Sequence, residues 1–125
     1  EEREDARERA KQQRKVVAER ERDMWRKAYA DNRVVVKELN NCWCCLMPYC
    51  DPVSDDDKHR AALLPKIRAC LEKFKAKGLR FKHRELQWRH VRLNQAGGIM
   101  LVDLGSLQEV NPSDIDVQDQ MAALV

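Results

Sequence analysis

The sequence His-Arg-Glu-Leu-Gln-Trp-Arg-His at residues 83–90, followed by Asp-Leu-Gly at residues 103–105, is the stretch around which the chain is organised. Two short apolar runs lie between these motifs, on either side of Asn-Gln-Ala-Gly-Gly at residues 94–98. Apolar runs joined by a Gly-Gly turn predict a β-hairpin. Because a hairpin fixes the distance between its ends, we expect the carboxylates of Glu85 and Asp103 to face one small volume, which suits a cation or phosphate site. The alternative is an ordinary surface hairpin with acids at both ends.

Length and charge limit the classes of protein to which the chain can belong. Its 125 residues predict one small domain or part of a larger one. The 24 Lys and Arg residues are interleaved with 21 Asp and Glu residues, so the chain carries no strong nucleic-acid footprint. No apolar run approaches the roughly 20 residues of a membrane helix, and the charged N-terminus is unlike a signal peptide. We therefore expect partners other than nucleic acid or membrane.

The cysteines indicate the compartment. There are five, an odd number, and four of them lie at residues 42–50. This distribution is unlike the framework of a secreted disulfide protein, so we expect reduced thiols in an intracellular protein, either cytoplasmic or nuclear. The spacing C-x-C-C-x4-C lacks the paired C-x2-C knuckles of zinc sites, which favours buried apolar cysteines over a metal site.

The N-terminal half predicts a charged helix followed by a pair of strands. Residues 1–26 contain strong helix formers and neither Gly nor Pro. Residues 1–15 read as a solvated helical extension, and a core-facing stripe begins at residue 16. The β-branched run at residues 34–36 and the apolar run at residues 42–47 predict an antiparallel pair around an Asn-Asn turn, with the second strand buried.

The following region predicts helices. The acids of residues 51–57 suit a helix N-terminus, and this first helix is expected to end before Pro65, which would begin a second one. The second helix presents an apolar face at i, i+3, i+4 and i+7 and stops at Gly78. Ser113 or Asp114 is expected to cap a short final helix. These elements together predict an α+β fold.

The order of these features resembles the middle of a protein-kinase domain. The sequence from His83 to Leu86 is similar to the catalytic-loop motif H-R-D-L, and residues 103–105 are similar to the D-F-G motif. Glu85 and Asp103 are 18 positions apart, which agrees with the interval in that family. Met-Pro-Tyr at residues 47–49 resembles the interlobe hinge. The resemblance implies an incomplete protein-kinase-like fold over residues 16–125, with αD- and αE-like helices and a hinge near 47–50.

This resemblance also implies site residues and cofactors. ATP would contact Met47 and Tyr49, and Mg2+ would be held by Asp103, with His90 at the position of the second metal ligand. Glu85 would act as the base for an ATP-dependent phosphotransferase that modifies a hydroxyl of a protein or small molecule.

Departures from the kinase pattern keep other functions open. Gln87 replaces the loop lysine, imidazole is a poor ligand for magnesium, and the chain contains no G-x-G-x-x-G loop and no strand with the ATP-contacting lysine. Whether the chain is an enzyme is therefore left open. The alternative is an inactive pseudokinase-type module that binds proteins. A third reading is an unrelated α+β domain whose charged N-terminal helix binds a protein partner.

Overall fold

A computed structural model describes residues 2–125 as a small α+β structure with three α-helices and short antiparallel strands. The chain divides into two compact units, the first ending at Pro48 and the second comprising Tyr49–Val125. The α+β class, the charged N-terminal helix and the short antiparallel strands are as the sequence predicts. None of the helices within residues 2–125 is long and apolar enough to cross a membrane.

The first unit begins with α1 (Glu2–Tyr29). Acidic side chains occupy its first turn and basic ones its last, which complements the helix dipole. Its buried residues, Ala18, Met24, Trp25 and Ala28, all lie in the C-terminal half, so the N-terminal half is solvated. Ala30, with φ of 52°, adopts the left-handed conformation directly after the helix.

A hairpin completes this unit. Strands β1 (Val35–Leu39) and β2 (Cys42–Leu46) pair in antiparallel fashion, as the sequence predicts. Asn40 and Asn41 both have positive φ, of 50° and 62°, which is the requirement of a tight two-residue hairpin turn. The expectation that the second strand is buried was wrong, because its residues are half-buried and Leu46 is exposed. A sheet of two strands covered on one face by a helix leaves its other face open.

The second unit contains two small sheets and two helices. One sheet has the strand order β3-β5-β6, and the other pairs β4 with β7. The elements in chain order are β3 (Asp51–Pro52), α2 (Asp57–Ala76), β4 (Leu79–Arg80), β5 (Val91–Leu93), β6 (Ile99–Leu101), β7 (Gln108–Glu109) and α3 (Val117–Ala122). The predicted hairpin at residues 91–102 is thus present as β5 and β6, and Gly97 has φ of 79° in its turn.

One helix replaces the two predicted before Gly78. Helix α2 runs continuously through Pro65, although a proline in a helix removes a backbone hydrogen bond. Its buried side chains, Leu63, Ile67, Leu71 and Phe74, form a single stripe that begins before the proline. Burial of that stripe is worth several times about 1.5–3 kcal/mol, which offsets the roughly 3 kcal/mol cost of the proline. Asp56, within the predicted acidic run, caps the helix by accepting from the backbone N–H groups of residues 58 and 59.

The final helix begins later than predicted. Asp116, rather than Ser113 or Asp114, caps α3 by accepting from the Asp119 N–H at 3.0 Å. Asn111 caps the preceding 3-10 turn at residues 112–114. Ser113 and Asp114 belong to this turn and therefore do not begin the helix.

Side chains of α3 and of the segment after it are tied into the second unit by hydrogen bonds. The buried Gln120 accepts from the Phe81 backbone N–H at 2.9 Å through its Oε1. Trp88 donates its indole N–H to the Leu124 carbonyl at 2.9 Å. Each of these bonds joins residues more than 35 positions apart, so the C-terminal segment fixes the position of the loop that begins at Phe81.

Candidate functional site

The loop and hairpin singled out in the sequence form a cluster around His90. This residue closes a short 3-10 turn at residues 88–90, and its side chain is buried with only 3% exposure. The His90 Nδ1 accepts a hydrogen bond from the Gln87 backbone N–H at 3.0 Å. The hydrogen of the neutral imidazole is therefore on Nε2, which lies 3.4 Å from a carboxylate oxygen of Asp103. The ring also stacks on Phe81 at 5.9 Å between centroids.

Burial keeps the imidazole of His90 neutral. Burial lowers the pKa of His90 below its usual 6.5, and this effect outweighs the opposite influence of the Asp103 and Glu85 charges. Near pH 7 His90 is thus a neutral imidazole whose Nε2 lies beside the Asp103 carboxylate. Asp103 is itself two-thirds exposed and has the left-handed conformation, with φ of 65°. The hairpin therefore brings His90 beside Asp103, and the charge of Glu85 also acts on His90.

Met47 and Tyr49, which were predicted to contact ATP, belong to different units of the chain. Met47 is half-buried directly after β2 in the first unit, whereas Tyr49 opens the second unit with 74% exposure. Within residues 2–125, no group of three or more His, Cys, Asp or Glu side chains is arranged to hold a metal ion. The assignment of ATP to Met47, Tyr49 and Asp103, and of Mg2+ to Asp103 and His90, stays a prediction.

A second candidate site is the outer face of the β1–β2 hairpin. The cross-strand pairs on this face are Val35 with Leu46, Lys37 with Cys44, and Leu39 with Cys42, and we call these six residues the open hairpin face. Val35 and Leu39 are each 42% exposed and Leu46 is 38% exposed. Lys37 is exposed between the two apolar residues of its strand.

The opposite face of the hairpin contacts α1. Lys11 forms an ion pair with Glu38 at 2.7 Å, and the Lys15 ammonium lies 4.7 Å from the centre of the Trp43 ring. Glu38 and Trp43 are cross-strand partners, so both contacts lie on the same face. Alternate residues of a strand point to opposite faces, so most of the open hairpin face lies away from these contacts. The exception is Cys42, whose sulfur accepts a hydrogen bond from Arg14 of α1 at 3.4 Å.

Sequence reasoning missed this surface. It treated Cys42, Cys44 and Cys45 as buried apolar residues, but all three are half-buried thiols. No local signal identified the surface, because the exposure of this face depends on which elements cover β1 and β2.

Comparison with known proteins places the chain in a family. Residues 5–93 match the family described as "Family of unknown function (DUF5898)", and the match covers more than half of the chain. The chain belongs to this family. No curated protein matches the chain. No solved structure matches it either.

These comparisons correct the resemblance to protein kinases. The family that matches is the one of unknown function, and its match includes Glu85 and His90 but ends before Asp103. The protein-kinase resemblance was therefore wrong. The two acids and their 18-position interval are a short pattern with substituted neighbours, and they did not identify the family. The family match does include the whole of the open hairpin face.

Proposed function

We propose that the chain is a protein-binding module that adds an extended segment of a partner protein to the outer edge of β1. The observation that carries the proposal is the exposure of Val35, Lys37 and Leu39 on a strand whose sheet has only one other member within residues 2–125. An edge strand presents a row of backbone N–H and C=O groups to which another chain can pair. Such strand addition is a recurrent mode of peptide recognition.

The side chains of the open hairpin face specify the partner. A strand added beside β1 places its own alternate side chains next to Val35, Lys37 and Leu39. Within residues 2–125, Lys37 forms no ion pair and its side chain is exposed. An acidic residue of the partner would therefore form an ion pair with Lys37. The recognised segment is therefore apolar, acidic and apolar at alternate positions.

Competing surfaces have less to support them. The N-terminal half of α1 is exposed, but its side chains are mainly charged and of both signs, and exposed ion pairs contribute only about 0–1 kcal/mol each. The open hairpin face combines apolar area, an edge with backbone donors and one central charge. An intracellular location is also part of the proposal, and it is supported by the five cysteines, which form no disulfide with one another.

A charge exchange tests the proposed recognition. The assay is fluorescence polarisation of a labelled extended peptide with Ile-Thr-Glu-Thr-Val at its centre and of the same peptide with Lys in place of Glu. We expect the chain to bind the Glu peptide more tightly than the Lys peptide. The Lys37→Glu variant should reverse that preference, because like charges directly opposite each other are destabilising.

The matched control is Lys66→Glu, which makes the same charge change at an exposed position of α2. This variant should keep the preference of the unmodified chain. Absence of binding to either peptide, or an equal loss of preference in both variants, would contradict the proposal.

A second experiment on the same samples tests whether the chain binds ATP. Thermal unfolding with and without ATP and Mg2+ tests the predicted contacts at Met47, Tyr49 and Asp103, because a ligand that binds the folded state raises the midpoint. An ATP-dependent rise that is lost in Asp103→Ala would support that prediction, and unchanged midpoints at millimolar ATP would contradict it.

A further inference from the structure

Cys42 and Cys44 place two thiols on the open hairpin face. They are two positions apart on β2, so their side chains point to the same side of the sheet. The Cys44 thiol donates to the Cys42 carbonyl at 3.6 Å, and hydrogen bonding between the two thiols contributes to the raised pKa of Cys44, after burial and the Cys42 charge. Both side chains are half-buried and form no disulfide.

Two cations flank this pair. The Arg14 guanidinium of α1 donates to the Cys42 sulfur at 3.4 Å. Lys37 is the cross-strand partner of Cys44, which puts their β-carbons about 4.5–5.5 Å apart. A ligand that leaves negative charge on the two sulfurs would therefore be stabilised from both sides.

The spacing favours a bridging ion over a disulfide. Residues two apart on a strand are separated by about 6.4–6.8 Å between α-carbons, which is the upper end of the disulfide range of about 4.4–6.8 Å. Their parallel β-carbons are further apart than the roughly 3.5–4.5 Å that a disulfide needs. A metal ion with metal–sulfur bonds as long as those of zinc, about 2.3 Å, joins sulfurs up to about 4.6 Å apart.

The number of ligands selects the ion. Structural zinc requires four protein ligands, and within residues 2–125 no group of even three suitable side chains is present. Cys45 points to the opposite face of the strand and does not add a third sulfur to the pair. Soft thiolate ligands select Cu(I), zinc and iron–sulfur clusters. Of these, Cu(I) is the one that two sulfur ligands can hold.

We infer that Cys42 and Cys44 form a two-thiolate binding site for Cu(I). Binding replaces the two thiol protons with one ion, so that two S–H bonds break, two Cu–S bonds form and two protons go to solvent. The oxidation state of copper does not change. The bis-thiolate complex carries a charge of −1, which Arg14 and Lys37 offset. The sulfurs belong to β2, whereas the proposed peptide pairs along the outer edge of β1, and Lys37 borders both sites.

The test is anaerobic titration of the full chain with Cu(I) in competition with a chromophoric Cu(I) chelator. We expect one equivalent to bind, and Cys42→Ser and Cys44→Ser each to lose it. Cys45→Ser on the other face and Cys70→Ser on α2 are the matched controls and should keep it. Circular dichroism of each variant checks that the fold is retained, and peptide binding by the two serine variants separates this site from the proposed function.

Two further results decide the inference. Arg14→Gln should keep the one-to-one stoichiometry and weaken Cu(I) binding by about 3- to 10-fold, as loss of one nearby charge implies. Equal Cu(I) uptake by Cys42→Ser and Cys70→Ser would overturn the inference. Loss of Cu(I) in Cys45→Ser, or formation of a Cys42–Cys44 disulfide with no Cu(I) binding by the reduced chain, would also overturn it.

Discussion

Replacement of Gln120 by Met tests how the C-terminal segment holds the loop that carries the His90 cluster. Gln120 is 3% exposed, and its Oε1 is the acceptor for the Phe81 N–H at 2.9 Å. Met has a similar volume but cannot accept a strong hydrogen bond, so Gln120→Met leaves a buried backbone donor without its partner. That change costs about 1–3 kcal/mol of the free energy of unfolding. The matched control is Gln118→Met, which removes an exposed hydrogen bond to Arg68 and should cost no more than about 0.5 kcal/mol.

Two measurements follow the loss at Gln120. Urea unfolding monitored by Trp fluorescence gives the change in free energy for each variant. Native-state amide hydrogen exchange gives a residue-specific value, and the Phe81 amide should lose about tenfold in protection for each 1.4 kcal/mol. If Gln120→Met and Gln118→Met differ by less than about 0.3 kcal/mol, and the Phe81 amide keeps its protection, the reasoning about this bond is refuted.

Two glycines and one histidine give the remaining predictions. Gly78→Ala places a β-carbon 2.7 Å from the Val110 carbonyl oxygen, whereas Gly97→Ala has a similar positive φ but open space around the new β-carbon. In urea unfolding, Gly78→Ala should therefore lower the free energy of unfolding by at least about 1 kcal/mol more than Gly97→Ala does. Equal losses would show that the close approach has no cost. Burial lowers the pKa of His90 in the folded state below 6.5, so between 6.5 and that lower pKa the unfolded chain binds more protons than the folded chain does. The contribution of the neutral His90 to stability is therefore present above pH 6.5 and is lost as the pH falls towards the pKa of the folded state. NMR titration of the His90 ring should give a midpoint below 6.5, and a midpoint at or above 6.5 would contradict the assigned burial effect.

Local sequence signals predicted both hairpins. Asn40-Asn41 supplied the positive φ values of the first turn, and the glycine at residue 97 supplied that of the second. The capping acid of α2 and the stop at Gly78 were equally local. In each case the conformation is decided by residues within a few positions of one another, so a single sequence is enough to indicate it.

Longer-range features were not predictable in this way. The continuity of α2 through Pro65 depends on burial of a stripe that contacts other elements, and the pairing of Leu79 with Glu109 joins residues 30 positions apart. A single sequence contains no local sign of such a pairing. The kinase resemblance failed for a related reason, since a short motif indicates chemistry without the surrounding fold.

The candidate sites also combine local features, which the sequence predicted, with features that depend on the whole fold. The hairpin argument predicted that Glu85 and Asp103 face one volume, but it did not predict a buried, neutral His90 beside Asp103, because that depends on the Gln87 hydrogen bond and on burial. The open hairpin face was missed because its exposure depends on what covers β1 and β2, and this is a property of the whole fold.

The most direct test of the protein-binding claim is amide hydrogen exchange along β1 with and without a saturating amount of the Ile-Thr-Glu-Thr-Val peptide. Strand addition forms new backbone hydrogen bonds, so the outward-facing amides of Val35–Leu39 should gain protection while those of α2 stay unchanged. Peptide binding without added protection in β1, or with protection confined to α1 or to the second unit, would contradict the account.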